Sequence, residues 1–461
     1  MKKKLENRKN NKSIIVSTLI FVITFIAMAG YLIYFNLTQA ESIINNSYNK
    51  RQGVLSRRTI RGSILSDDKT KLAVTNVDDD GNETRYYPYS GLFSHTIGYL
   101  NNGGYGLESL YGYYMLHSNQ NFFEQIGNDL SGNRNTGDNV VTTLNVGLQK
   151  ACYDALGSNR GAVIVMEPST GKILAMVSKP DFDPNTLAAN WSQITGEGSD
   201  SVLVNRATQG LYPPGSTFKL ITMLEYLREH KNDYGQYHYI CDGTYELGNN
   251  TINCVRTTAH GDVDLFSSLA VSCNCSFINI GLSLDLDRYK KTAEKMLFNK
   301  ELPTNLEYNK SRFVLNGESS EWDIAQTSFG QGKTVITPFH LALITCTIAN
   351  NGTLMEPYLV SSVESTNGMT VKKFKEEKYD TLITEKEASL LKKGMEQVVK
   401  DSFSWLFGGV EYTLAAKSGS AQYGTEGYEH SLYASFSPAD GSSGRRTAEK
   451  YNCCRSYKTD I

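Results

Sequence analysis

An apolar run near the start of the chain limits the possible folds more than any other feature. Residues 14–34 are apolar except for one serine, two threonines and one glycine. A helix of about 20 apolar residues spans a bilayer, because each residue adds about 1.5 Å of length. The run therefore predicts a transmembrane helix at residues 13–37, and the rest of the chain must fold on one side of that membrane.

Basic residues precede the run and predict its orientation. Six of the first 12 residues are lysine or arginine. Positive flanks stay in the cytoplasm, so residues 1–12 are predicted to form a cytoplasmic tail and the chain beyond the helix to lie outside. A cleavable signal peptide is the alternative, because Ala27-Met28-Ala29 resembles a processing site. The apolar run continues past that site to Phe35, which favours an uncleaved, single-pass anchor in the cell membrane.

Charge, cysteine and histidine content narrow the function classes. The 461 residues carry a net charge of −2, which gives no indication of nucleic-acid binding. Eight cysteines are too few for a disulfide framework. Cys241 and Cys254 flank a Gly/Asn-rich loop, and both a disulfide and two free thiols remain open. The histidines show no metal-ligand spacing, so neither a metal site nor a cofactor is predicted.

The clearest chemical signal is Tyr212–Leu220, which reads Tyr-Pro-Pro-Gly-Ser-Thr-Phe-Lys-Leu. The prolines and the glycine end the preceding element, and apolar residues at helical spacing follow. Ser216 and Lys219 are three residues apart, which places them on one face of a helix. A serine becomes a strong nucleophile when a neighbour takes its proton, and a buried lysine is able to do so.

Ser-x-x-Lys is a weak motif by itself, because it also begins at Ser47, Ser66, Ser169 and Ser389. Two later motifs support the first. Ser272-Cys-Asn274 follows it, and Lys417-Ser418-Gly419 is the single Lys-(Ser/Thr)-Gly in the sequence. This order is typical of serine enzymes that recognise penicillin.

The periodicity of the chain beyond residue 140 predicts an α/β fold in which helices flank a mainly antiparallel sheet. Asn145 is predicted to cap a helix that follows the strand 140–144. A buried hairpin is predicted at 161–177. Further helices are predicted at 265–295, 338–350 and 385–400, and further strands at 414–421 and 432–436.

Several blocks occur in series with these motifs: Arg61-Gly62-Ser-Ile64, Gly106-Leu107-Glu108, Thr142-Thr-Leu-Asn, Gly161-Ala-Val, Asp181-Phe-Asp-Pro-Asn185, Asn205-Arg206-Ala207 and Ser328-Phe-Gly-Gln-Gly332. In this order the sequence resembles a class B penicillin-binding protein of the penicillin-binding protein A type. The resemblance implies a serine β-lactamase-like transpeptidase domain at 140–440, preceded by a small α+β pedestal, similar to a dimerisation domain, at 38–139.

The resemblance also implies roles for individual residues. Ser216 attacks the bond between two terminal D-alanines of a peptidoglycan stem peptide, and Lys219 accepts its proton. Ser272 relays a proton to the leaving amine, and Asn274 holds the substrate amide or Lys219. Lys417 and Ser418 bind the terminal carboxylate. Gly419 lets its strand approach the substrate, and the backbone N–H groups of Ser216 and Ser420 form the oxyanion hole.

The implied partners are peptidoglycan stem peptides, β-lactams as covalent inhibitors, and a polytopic glycosyltransferase of the shape, elongation, division and sporulation family. A β-lactamase and a penicillin-sensing receptor are less favoured, since the first gains little from a pedestal and the second needs cytoplasmic machinery.

The resemblance stops after Asp440. Residues 441–461 are polar, with Ile461 as their one branched aliphatic residue, and are predicted to be disordered. A catalytically impaired scaffold that binds division proteins is therefore the alternative function, because the last strand and helix of the family fold would be missing.

Overall fold

A computed structural model describes residues 2–38, 56–101, 103–196, 198–423, 428–439 and 452–459. The helices within these ranges are α1 (Lys2–Thr38), α2 (Ser94–Ile97), α3 (Gly106–Leu110), α4 (Gly112–Met115), α5 (Phe122–Ser131), α6 (Val146–Leu156), α7 (Leu187–Thr195), α8 (Lys219–Glu229), α9 (Leu265–Ala270), α10 (Asn274–Ser283), α11 (Leu286–Lys295), α12 (Glu321–Ser328), α13 (Pro338–Ala349), α14 (Glu385–Ser402) and α15 (Ser404–Phe407).

The strands within the same ranges are β1 (Thr59–Ile60), β2 (Ile64–Leu65), β3 (Lys71–Val77), β4 (Glu83–Tyr86), β5 (Asn135–Thr136), β6 (Asn139–Thr142), β7 (Gly161–Met166), β8 (Ile173–Lys179), β9 (His238–Cys241), β10 (Thr244–Leu247), β11 (Asn250–Asn253), β12 (Gly261–Asp264), β13 (Thr353–Met355), β14 (Val360–Glu364), β15 (Thr370–Lys373), β16 (Lys378–Thr381), β17 (Ala415–Tyr423), β18 (Tyr428–Phe436) and β19 (Asn452–Thr459).

The N-terminal helix α1 contains the predicted membrane span. Its apolar part, Ile14–Phe35, is 22 residues long, and none of it is buried against the rest of the protein. Among the described residues it is the one helix long and apolar enough to cross a membrane. Apolar side chains in such number are stable when lipid covers them, because water does not favour their exposure.

The pedestal is built on a six-stranded sheet with the order β15-β14-β6-β2-β3-β4. Its strand β6 pairs in parallel with β2 and antiparallel with β14. The sheet thus combines strands from residues 64–86 with β14 and β15, which lie more than 200 residues later. Because β6 crosses position 140, the pedestal and the catalytic region share a strand at the predicted boundary.

The part of the chain beyond residue 140 contains a five-stranded antiparallel sheet with the order β17-β18-β19-β7-β8. Alternate residues of β7 face opposite sides, as expected for a strand. Ile164 and Met166 belong to the main core, into which α13 packs, whereas Val163 and Val165 pack against α6. Helices therefore cover both faces, which confirms the predicted α/β architecture.

The end of the chain differs from the prediction of a disordered polar tail at 441–461. The backbone of β19 pairs antiparallel with β18 on one side and with β7 on the other. Without it both neighbours would carry unpaired backbone groups. The main chain makes these hydrogen bonds, so a polar segment is able to satisfy them whatever its side chains. Residues 440–451 and 460–461 lie outside the described part of the chain.

Candidate active site

Ser216 lies on a tight turn at the start of α8. Residues Gly215–Thr217 form one turn of 3-10 helix, and α8 begins at Lys219. The sequence placed Ser216 in the first turn of the α-helix itself. The Phe218 N–H closes this turn by donating to Gly215 O at 2.9 Å. Gly215 enters it with a φ of +54°, which glycine adopts readily, and its own N–H donates to Gly330 O at 2.8 Å. The apolar residues that follow are buried and fix α8 in the core.

Lys219 is fully buried beneath this turn, and three acceptors surround its ammonium group. Its Nζ donates to Ser272 O at 2.7 Å, to Asn274 Oδ1 at 2.8 Å and to Ser272 Oγ at 3.3 Å. Burial disfavours the charged form and lowers the pKa of Lys219 to about 8. With this pKa about a tenth of the amine is neutral at pH 7, far more than for an exposed lysine, and this neutral form is the one that accepts a proton.

Lys417 is a second buried amine at the same place. It extends from β17, and its Nζ donates to Ser272 Oγ at 3.1 Å and to Ser418 O at 2.9 Å. Burial lowers the pKa of Lys417 well below its usual range, and the charge of Lys219 lowers it further. Two amines thus converge on one hydroxyl, and their mutual repulsion favours a neutral state for one of them.

Ser272 lies in the short connection between α9 and α10, and Asn274 is the first residue of α10. Ser272 has a φ of +56°, which is uncommon for a residue with a side chain. Such strain persists where the surroundings hold it, and here both lysines contact Ser272. Asn274 accepts from Lys219 through Oδ1 and donates through Nδ2 to Asn253 O at 2.9 Å. Both ends of its amide are therefore fixed.

Gly419 brings β17 against the Ser216 turn. A Cβ atom at this position would lie 2.7 Å from Pro214 O and 3.1 Å from Ser216 N. Only glycine permits this approach, which places the backbone of Ser420 beside that of Ser216. Two backbone N–H donors that lie close together are the usual elements of an oxyanion hole.

These residues border one cleft of about 910 Å³. Five of the eight predicted site residues line it: Ser216, Ser272, Asn274, Ser418 and Ser420. The two lysines lie beneath the cleft and contact Ser272, while Gly419 lies against the Ser216 turn. The structure thus brings all eight predicted residues together, although the three motifs are separated by about 50 and 140 residues in the sequence.

Some residues that support the site were not predicted. Asn253 fixes Asn274 through its backbone carbonyl. The ring of Phe277 lies 5.4 Å from Lys219 Nζ, at a distance where cation–π attraction operates. Gly330, within the Ser328–Gly332 block, packs on Gly215, because a Cβ atom there would lie 1.7 Å from Gly215 O. The sequence indicated a glycine-rich block here, but not its contact with the Ser216 turn.

The cysteines near the cleft were not predicted to form a cluster, although a disulfide between Cys241 and Cys254 was left open. Cys241, Cys254 and Cys273, together with His260, place one ligand-type atom each within 4.8 Å of one another. The Sγ atoms of Cys241 and Cys254 lie 3.7 Å apart, so they are close without forming a disulfide. The absence of ligand spacing in the sequence therefore did not exclude a metal site, because folding brings the distant ligands together.

A serine on a tight helix start, two buried amines and an adjacent glycine-containing strand define a class of acyl-transfer enzymes that recognise penicillins. Comparison with known families agrees with this class. Residues 161–443 match the penicillin binding protein transpeptidase domain, and residues 61–140 match the penicillin binding protein A dimerisation domain. The chain belongs to the penicillin-binding protein transpeptidase family, whose members are serine-type D,D-transpeptidases.

Individual relatives are similar over most of their length. Peptidoglycan D,D-transpeptidase PbpA of Mycolicibacterium smegmatis is 31% identical over 386 residues, which cover 78% of this chain and 75% of the relative. PbpA of Mycobacterium tuberculosis is 32% identical over 343 residues, which cover 69% and 68%.

Solved structures show the same similarity. Penicillin-binding protein A from M. tuberculosis, as a ceftriaxone acyl-enzyme complex, has a TM-score of 0.78 and 27% identity and covers 87% of this chain and 94% of its own. The D,D-transpeptidase domain of a peptidoglycan glycosyltransferase from Eggerthella lenta has a TM-score of 0.76 and 28% identity and covers 88% and 94%. Family membership and the N-terminal apolar helix together indicate a membrane-anchored protein with an extracellular catalytic domain.

Proposed function

We propose that this chain cross-links peptidoglycan stem peptides as a D,D-transpeptidase and forms its acyl-enzyme at Ser216. The observation that carries this proposal is the convergence of Lys219 and Lys417 on the hydroxyl of Ser272 at the cleft that Ser216 lines. Buried amines at these positions supply a proton acceptor and a proton relay. Peptidoglycan transpeptidation is also the activity in the names of the relatives.

The first step is acylation. Ser216 Oγ attacks the carbonyl carbon between the last two D-alanines, and the neutral amine of Lys219 takes its proton. Backbone N–H groups of Ser216 and Ser420 stabilise the resulting oxyanion, and such a donor contributes about 3 kcal/mol to transition-state stabilisation. The close approach of Gly419 to the Ser216 turn supports this pairing of donors.

The second step is the departure of D-alanine. Ser272 Oγ donates its proton to the leaving nitrogen and recovers a proton from the Lys219 ammonium, with which it is hydrogen-bonded. The terminal carboxylate binds near the hydroxyl of Ser418 and the amine of Lys417. A bound carboxylate raises the pKa of a neighbouring amine, so substrate binding favours the protonated form of Lys417.

The third step releases the enzyme. An amine from a second stem peptide attacks the ester carbonyl, forms the cross-linking amide and returns a proton to Ser216. Water in place of the amine gives carboxypeptidase activity. A β-lactam acylates Ser216 in the same way, and its ring-opened product stays attached. Asn274 holds Lys219 in position throughout, since its amide is fixed at both ends.

Fluorescent penicillin labelling tests the assignment of Ser216. The Ser216→Ala variant should lose labelling entirely while its melting temperature stays close to that of the natural chain. Ser169→Ala is the matched control. Ser169 also begins a Ser-x-x-Lys motif, but it lies exposed on a turn and does not line the cleft. Persistent labelling of Ser216→Ala would reject the assignment, and rapid hydrolysis of penicillin by the natural chain would indicate a β-lactamase.

The membrane topology and one membrane partner belong to the same proposal. We place residues 1–12 in the cytoplasm and the catalytic domain outside, with α1 as a single span. The exposed apolar surface of α1 supports a second contact in the bilayer, with a polytopic glycosyltransferase of the shape, elongation, division and sporulation family. Protease protection of the N-terminus in sealed vesicles tests the topology, and crosslinking from α1 in membranes tests the partner.

The alternative of an impaired scaffold rests on a missing last strand and a missing last helix of the catalytic domain. The backbone of β19 occupies the place between β18 and β7, so a missing strand no longer supports that alternative. An intact sheet positions β17, and with it Lys417 and Gly419, at the cleft. Catalytic activity is therefore the function that we propose.

A further inference from the structure

Four buried cysteines gather directly beneath the Ser272–Asn274 turn. Cys241, Cys254, Cys273 and Cys275 are each at most 2% exposed and form a cluster of their own. They come from three separate segments: the end of β9, the residue after β11, and the start of α10 together with the residue before it. Cys273 lies between Ser272 and Asn274 in the sequence, so the cluster adjoins the active site.

The distances within this cluster match those between the ligands of a tetrahedral metal ion. The Sγ of Cys254 lies 3.7 Å from that of Cys241 and 3.8 Å from that of Cys273. His260 Nδ1 lies 3.5 Å from the Sγ of Cys241. Zinc–sulfur bonds of about 2.3 Å in a tetrahedron separate two sulfurs by about 3.8 Å, and a sulfur from a nitrogen by about 3.6 Å.

Other contacts orient these side chains toward one another as metal ligands require. The Sγ of Cys273 accepts a hydrogen bond from the backbone N–H of Ser276 at 3.4 Å, at the start of α10. Backbone donors of this kind stabilise thiolate ligands and hold their orientation. β9 pairs with β12 so that Cys241 is opposite Gly261, which brings the neighbouring His260 to the cluster.

We propose that Cys241, Cys254, His260 and Cys273 bind one structural Zn²⁺ ion, which fixes the Ser272–Asn274 turn in its catalytic position. Three thiolates and one imidazole are a ligand set that selects zinc, and four protein ligands leave no open position for substrate. The metal binding itself is independent of the transpeptidase assignment. Its effect on the turn rests on that assignment, because Ser272 and Asn274 flank one of the ligands.

The site also explains how the turn keeps its strained backbone. A zinc ion would join Cys273 to Cys254. The residue before Cys254 is Asn253, and its backbone carbonyl accepts a hydrogen bond from the side chain of Asn274. The metal and this hydrogen bond then attach the turn to the same strand end at two points. Loss of the metal frees the connection between α9 and α10 and with it the acceptors of Lys219.

The first experiment measures metal in the natural chain. The full-length protein is purified in detergent without chelator or reductant, and its metals are measured by inductively coupled plasma mass spectrometry. The expected result is about one zinc per chain, with tetrahedral thiolate absorption after cobalt replaces zinc. Absence of stoichiometric zinc would overturn the proposal. Copper in its place would also overturn it, as would an intact mass two hydrogens lower, which indicates a disulfide.

Single substitutions locate the ion. Cys254→Ser and His260→Ala should reduce bound zinc at least tenfold. Cys346→Ser is the matched control, because Cys346 is a buried cysteine on α13 outside the cluster, and it should keep a full equivalent. Cys275→Ser should also keep the zinc, although its Sγ lies 3.4 Å from that of Cys254. Zinc loss in Cys275→Ser with retention in Cys273→Ser would overturn the assignment of Cys273.

A measurement on the natural chain remains informative if a variant fails to fold. Chelation should expose three thiols to a labelling reagent, and added zinc should protect them again. Penicillin acylation should become about tenfold slower in the zinc-free protein and recover with zinc. Unchanged thiol reactivity after chelation would overturn the metal site. Unchanged acylation would overturn its positioning role while leaving the transpeptidase assignment intact.

Discussion

Lys219 shows at the residue scale how burial produces reactivity. Its ammonium loses all contact with water, and neutral oxygens rather than carboxylates accept its hydrogen bonds. Burial therefore outweighs the attraction of the nearby cysteine sulfurs, and the pKa of Lys219 falls to about 8. The same burial keeps the amine in one geometry beneath the Ser216 turn.

The lowered pKa predicts a pH dependence of acylation. The neutral amine is the form that accepts the serine proton, so the rate should rise with pH and level off above the pKa of Lys219. Between about pH 7 and about pH 9 the neutral fraction rises about tenfold for a pKa near 8. Stopped-flow measurement of penicillin acylation across this range tests the prediction. A rate that is constant or falls with pH would contradict the role of Lys219.

The close approach of Gly419 to the Ser216 turn leaves no space for a side chain. In Gly419→Ala the new methyl group collides with the backbone at Pro214 and Ser216 and pushes β17 away from the turn. We expect acylation to slow by about tenfold to a hundredfold, because small displacements of catalytic groups have effects of that size.

The control for this substitution is Gly317→Ala. A Cβ atom at Gly317 meets no heavy atom within 4 Å, so acylation should be unchanged. The same stopped-flow assay measures both variants. Equal rates for the two variants would show that the close approach of β17 has no catalytic importance.

At the scale of elements, a buried ion network holds the pedestal together. Glu108 on α3 is fully buried and pairs with Arg61 at 2.8 Å and with Arg85 at 2.7 Å. Burial by itself would raise the pKa of Glu108, but Arg85 and Arg61 outweigh it and lower that pKa below its usual value. The sequence blocks around residues 61 and 108, which were identified separately, are therefore joined by an ion pair between Arg61 and Glu108.

Glu108→Ala should destabilise the pedestal strongly. It leaves two buried guanidinium groups without their partner, which costs about 3–5 kcal/mol in the free energy of unfolding. Thermal melting of the full chain should show a decrease of several degrees. Asp154→Ala removes the exposed pair with Lys150 and should melt as the natural chain does. Equal melting of the two variants would mean that the network contributes little to stability.

Much of the secondary structure could be predicted because its signals are local. Asn145 caps α6 by accepting from Leu148 N at 2.9 Å, as its position before an apolar period predicted. The helix 338–350 is observed as Pro338–Ala349, and the strand 432–436 is observed within Tyr428–Phe436. Such elements follow from periodicity and capping alone.

Other features depend on contacts between distant segments, and no local signal contains them. On α6 the apolar Ala151 is exposed. Gln149 is buried instead, because its amide donates to the carbonyls of Leu92 and Met176. The cysteine cluster also depends on contacts between distant segments. The pairing of β9 with β12 and of β10 with β11 decides which cysteines meet.

At the scale of the whole molecule, the last strand completes the catalytic sheet. The backbone of β19 connects the hairpin β7–β8 with the hairpin β17–β18, which carries Lys417 and Gly419. The prediction of a disordered tail considered only side-chain composition. It did not consider the backbone. The facing edges of β18 and β7 carry unpaired N–H and C=O groups, and any extended segment between them is able to pair with these groups.

Truncation after Ala439 tests this view of the sheet. It removes β19 and leaves β7 and β18 unpaired along their facing edges, so we expect a lower melting temperature and a loss of penicillin labelling. Thermal melting and labelling of the truncated and complete chains provide the comparison. Identical behaviour would show that the sheet does not need this strand.

The central claim is that Ser216, with Lys219, Ser272, Asn274 and Lys417 around it, carries the acyl group. Peptide mapping of the full-length chain after reaction with penicillin tests it most directly. One adduct per chain on the peptide that contains Ser216 is the predicted result, and the same serine should carry the acyl group from a D-Ala-D-Ala stem peptide. An adduct on another residue, or none on a folded chain, would contradict the account.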